Sequence, residues 1–165
     1  MNRMFKKIFS LIMAIFMVAT AFSSNVYAFD DSVSAQLKGT NYYVQSNVWM
    51  STTHWRWTHS YKVSAKLYKD KSLKETANAN TIKSTWNFKA TGIGVSLSGE
   101  YGGVSAGAAK NGFSGSWENN NTWISDMSGT FKISGFPICG TLSNTAFAIK
   151  NGAKAQATAE CFRVY

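Results

Sequence analysis

Proline occurs once in the 165 residues, and histidine and cysteine twice each. Acidic side chains number 8 against 17 basic ones. Apolar periodicity of 3.6 residues is nearly absent, which excludes a helical bundle. His54 and His59 lie five apart, so on a strand they face opposite sides and make a poor metal pair. No zinc spacing and no glycine-rich phosphate loop occurs. A histidine-assisted nucleophile also needs an orienting carboxylate, yet the acids are scattered, mostly at expected turns and the N-terminus. The sequence therefore offers no catalytic constellation, metal site or cofactor. The one candidate for hydrolysis is Glu118 with Asp126, which would have to meet across a hairpin as a glycosidase-like pair.

Only one apolar run is long. Ile8 to Phe22, broken by Ser10 and Thr20, follows Arg3, Lys6 and Lys7 and precedes Val26-Tyr27-Ala28. A basic start, an apolar middle and a small-residue end form the pattern of a secretory signal peptide. The run is about 15 residues, short of the roughly 20 that a spanning helix needs. Residues 1–28 are expected to be removed, leaving 29–165 as one secreted β domain. The short basic start and the Lys- and Asn-rich composition point to a low-GC Gram-positive bacterium.

What remains after Ala28 carries 14 basic and 8 acidic residues, a net +6. That excess favours anionic partners, such as a cell-wall polymer or an anionic membrane surface. Nucleic acid is not expected, since an exported chain rarely meets it and no binding motif occurs. In an oxidising compartment Cys139 and Cys161 are expected to form a disulfide. The loop they would close is worth roughly 3–4 kcal/mol by the chain-entropy model.

Alternation with period two dominates, and adjacent strand side chains point to opposite faces. From Trp55 to Tyr68 one face reads Trp55, Trp57, His59, Tyr61, Val63, Ala65 and Leu67. The other reads Arg56, Thr58, Ser60, Lys62, Ser64, Lys66 and Tyr68, a wet cationic face. Tyr42 to Met50 reads as an earlier strand, and Ser32 to Lys38 as a short one. Lys69-Asp70-Lys71-Ser72 reads as a turn, with the next strand starting near Leu73. Ile82, Trp86, Phe88 and Ala90 share a face. At Thr91-Gly92 the apolar phase shifts to Ile93, Val95 and Leu97, as a β-bulge produces. Asn111-Gly112 and Asn151-Gly152 suit tight hairpin turns that need positive φ. Glu118 to Asn121 reads as a further turn, and Pro137 as part of a connection. About eight to ten strands with tight turns predict an all-β fold, a single-domain antiparallel β-sandwich or small barrel.

Three functions follow in order. The first is a secreted, non-catalytic module binding the cell envelope or another anionic extracellular surface. Its candidate contacts are Trp55, Arg56, Trp57, Lys62, Lys66, Lys69 and Lys71. The second is an antimicrobial or pore-forming protein. It rests on the Trp/Arg segment and on Thr91 to Ser116, a small-residue hairpin with Ile93, Val95, Leu97 and Val104 as its lipid-facing positions. The third is a small secreted hydrolase using Glu118 and Asp126.

Overall fold

The computed structural model describes residues 29–165 except 52–53, 55–57 and 101–106, together with the side chains outside 100–109. The expected signal peptide, Trp55, Arg56, Trp57 and Val104 lie outside the described residues. Eight strands follow one another with no helix among them: β1 Phe29–Gln36, β2 Tyr43–Met50, β3 His59–Tyr68, β4 Ala79–Glu100, β5 Gly107–Ala109, β6 Gly112–Thr122, β7 Ile124–Lys150 and β8 Ala153–Val164. Every pairing is antiparallel. The expectation of an all-β antiparallel fold holds.

The order is β1-β2-β3-β7-β4-β6-β5, with β8 beside β7. β7 is long enough to serve two neighbours in turn. Its Ile124–Phe131 stretch pairs with β3, and its Cys139–Lys150 stretch pairs with β8. β4 pairs along β7 from Thr130 to Ile149. The sheet bends over along β7 and β4, so that β1, β2, β3 and the start of β7 form one layer. The end of β7, with β8, β4, β6 and β5, forms the second.

The alternation read from the sequence sets the interior. His59, Tyr61, Val63, Ala65 and Leu67 are buried along β3, and Val44, Val48 and Met50 along β2. They meet Ile82, Trp86, Phe88 and Ala90 of β4 and Leu142 of β7. Between the apolar clusters runs a layer of buried polar residues: Ser46, Ser84, Ser125 and Asn144. Ser46 Oγ donates to the Asn144 carbonyl at 2.7 Å, and Asn144 Nδ2 donates to Ser46 Oγ and to the Ser64 carbonyl, each at 3.0 Å. Ser84 Oγ donates to the Ser125 carbonyl at 2.8 Å, and Ser125 Oγ to the Trp117 carbonyl at 2.7 Å. These bonds tie the two layers at fixed register, because a buried donor left unmade is costly.

The phase shift at Thr91-Gly92 is a register shift of β4 against β7, as expected. The Asn151-Gly152 turn has φ of 50° and 80°, the positive pair that its turn type needs. The other Asn-Gly behaves differently. Lys110 and Asn111 form that turn and Gly112 begins β6, where a Cβ would lie 2.7 Å from the Phe88 carbonyl oxygen. Close approach, not positive φ, requires that glycine. Glu118–Asn120 are strand rather than turn, Pro137 lies within β7 opposite Gly92, and the strand expected near Leu73 starts at Ala79.

The expected disulfide is absent: Cys139 and Cys161 are both free thiols. Cys139 pairs with Val164 and Cys161 with Leu142, so the two are three positions out of register. Three positions amount to roughly 10 Å along a strand, beyond the reach of a disulfide. An odd offset also puts them on opposite faces. Cys161 is buried, and burial pushes its thiol up to about 11.

Candidate functional site

On the outer face of the first layer, pairing lines up residues from four strands. One row reads Asp30, Trp49, Lys62 and Ser128. The next reads Ser32, Asn47, Ser64 and Asp126, and a third brings Gln45, Lys66 and Ile124 together. Directly opposite residues on paired strands have Cβ atoms about 5 Å apart. All of these residues except Gln45 line an open groove of about 510 Å³. Such a volume falls within the range of small-ligand sites. Four strands span about 14 Å at roughly 4.8 Å each, enough for two or three sugar-sized units side by side.

The positions follow from local alternation. On β2 the even residues Val44, Ser46, Val48 and Met50 are buried, so Gln45, Asn47 and Trp49 must face out. On β3 the odd residues are buried, so Lys62, Ser64 and Lys66 face out. Lys62 Nζ sits 5.8 Å from the centre of the Trp49 ring. Its charge favours the π face, and its flexible stem lets it swing aside. Asn47 Nδ2 donates to Ser64 Oγ at 3.3 Å. Asp31, on the rim, accepts a bond from the Glu160 amide at 3.0 Å and so braces β1 against β8. Asp30, Asp31 and Asp126 line the groove together with Lys62 and Lys66, so it carries both signs of charge, three carboxylates to two lysines.

Of the cationic candidates, Lys62 and Lys66 line this groove. Lys69 and Lys71 lie on the turn beyond β3. Lys69 Nζ binds Glu75 at 2.9 Å, and that carboxylate raises its pKa. The Ser72 hydroxyl and amide hold the Asp70 carboxyl below its usual value. The turn thus satisfies most of its own charge. Trp55, Arg56 and Trp57 lie outside the described residues.

The expected membrane hairpin is divided. Ile93 is 75% exposed, Val95 is 6% exposed, and Leu97 packs against the core. Val104 lies outside the described residues. The two candidate hydrolytic acids are not brought together. Glu118 is on the outer face of the second layer, 3.9 Å from Lys83 Nζ, whereas Asp126 lines the groove of the first.

Reading the sequence for cationic and catalytic residues passed over Trp49, Asn47 and Asp30. The signal for Trp49 was present: it is a large aromatic on the polar side of an amphipathic strand. In comparisons with known proteins the chain matches no family model, no curated protein and no solved structure.

Proposed function

We propose that the chain is an exported, non-catalytic module that binds a hydroxyl-rich polymer of the cell envelope along this groove. The observation that carries the reading is Trp49. It shares the groove with Lys62, Lys66 and three carboxylates, with the Asn47 amide and the Ser64 and Ser128 hydroxyls alongside. A flat aromatic ring gives a stacking surface for a sugar ring, and the surrounding groups both donate and accept hydrogen bonds. A groove that carries both signs of charge, three carboxylates to two lysines, favours a neutral or mixed-charge glycan over a plain polyanion. The signal-peptide pattern of residues 1–28 supports export, with cleavage expected after Ala28. N-terminal sequencing of protein recovered from culture medium is expected to start at Phe29.

The test is binding of residues 29–165 to purified wall polysaccharide, followed calorimetrically. Trp49→Ala is expected to weaken binding roughly tenfold or more, as loss of an aromatic anchor does. Raising salt from about 50 to about 500 mM should change affinity little, because opposite charges in the groove offset each other under screening. Equal binding by Trp49→Ala, or no binding to any envelope polymer, would sink the reading.

A further inference from the structure

We propose that the corner where β4, β7 and β8 meet docks onto an anionic lipid bilayer. Five large apolar side chains stand out there: Ile93 is 75% exposed, Phe136 and Val164 67%, Ile138 59% and Phe162 51%. Ile93 is the direct partner of Phe136, Val164 is opposite Cys139 beside Ile138, and Phe162 precedes Val164 by two positions. The cause is the irregular pairing. Register shifts fall between Thr91 and Gly92 and between Ile93 and Ser96, and Gly94 and Gly135 take φ of 61° and 86°. A Cβ at Gly135 would run into the Gly94 carbonyl. The strands turn out of phase with the interior at this point, and the apolar side chains turn with them.

Charge identifies the occupant. Lys89 lies across Thr141 from Phe162 in one row of the outer face. Lys132 precedes Phe136 on β7. Lys110 sits at the turn whose carbonyls accept from Leu97 and Ala90, so it borders the same stretch of β4. Among the described residues two carboxylates stand close by: Glu160, one row beyond Phe162 and opposite Ser143, and Asp31, which accepts from the Glu160 amide at 3.0 Å. Exposed apolar side chains ringed mostly by lysines match a surface that offers acyl chains and phosphates together. The groove lies on the other layer, so both surfaces can be occupied at once.

The experiment is co-sedimentation of residues 29–165 with vesicles of phosphatidylcholine alone and of equal phosphatidylcholine and phosphatidylglycerol. Wild type is expected to pellet with the anionic vesicles and at least roughly tenfold less with the neutral ones. Ile138→Asp/Val164→Asp should lose binding, and Lys89→Gln/Lys132→Gln should reduce it severalfold. Phe162→Ser replaces the first pair if circular dichroism shows that it does not fold. Trp49→Ala should pellet as wild type, which separates this proposal from the groove. A chain that stays in the supernatant with both vesicles, or a corner variant that binds as wild type, overturns it. So does a dimer in sedimentation velocity that the corner variants dissociate, because the corner would then bury a second copy.

Discussion

On one side of the polar layer the interior is filled by rings, on the other largely by methyl groups. The first side holds Tyr61, Trp86, Phe88, Phe113 and Phe131. Phe88 and Phe131 lie 4.5 Å apart by ring centres, and Tyr61 and Phe113 lie 5.1 Å apart. The second side holds Ala65, Ala79, Ala146, Ala148 and Ala157, with Leu37, Val44, Leu67 and Ile82 supplying the bulk. Rings lock to one another through shape and offset contacts. Alanines instead let strands lie close, with few degrees of freedom to lose. The two ends should therefore fail differently: the aromatic end by loss of volume, the alanine end by gain of it.

The largest effect is expected at Phe88→Ala, which removes a fully buried ring touching Phe113 and Phe131. It should cost about 3–5 kcal/mol, read from the urea midpoint. A cost near that of a surface substitution would break the comparison. Next comes alkali. Burial pushes the Tyr61 phenol up to about 12 from its ordinary 10.0, and nothing titratable lies in the alanine cluster. The unfolded chain ionises first, so this contribution is complete below pH 10 and is lost as pH rises towards 12. The loss from Tyr61 should be roughly 2–3 kcal/mol, and Tyr61→Phe should make the alkaline limb of the stability curve shallower, leaving the part due to Tyr165, whose phenol burial also pushes up to about 12.

Asn144→Ala removes the Nδ2 donor that ties the layers and takes away one partner each from the Ser46 hydroxyl and the Ser64 carbonyl, while Ser46 still donates to the residue 144 carbonyl; the cost should be about 1–3 kcal/mol. Ser46→Ala/Asn144→Leu, which removes both partners, should cost less than the single change. A larger cost would mean that the polar layer holds more than register. Ala146→Val overpacks the alanine end and should cost about 1–2 kcal/mol, whereas Ala90→Val at the aromatic end tests whether rings tolerate the same methyl groups. The smallest effect is chemical. Cys161 sits within the aromatic cluster and should resist a maleimide reagent at neutral pH, and both thiols should react after unfolding. A single disulfide-linked species would instead require β7 and β8 to shift register.

What could be read from the residue order is what depends on neighbours in sequence. Alternation placed His59, Tyr61, Val63, Ala65 and Leu67 on the buried side of β3, because the strand period is purely local. The Thr91-Gly92 bulge and the Asn151-Gly152 turn were legible for the same reason: backbone freedom at a glycine is a property of that residue. Where the reading failed, the deciding quantity was lateral. Cys139 and Cys161 are near in sequence and sit on paired strands, but an offset of three fixes them on opposite faces. Glu118 and Asp126 are separated because β6 belongs to one layer and the start of β7 to the other. Pro137 sits in a strand because a register shift frees the position from a regular ladder. The groove is the plainest case. Alternation alone put Trp49, Lys62 and Asp126 on outward faces, but only the order β1-β2-β3-β7 set those faces side by side. Lateral order comes from long-range burial of the inner residues, and no local pattern encodes it.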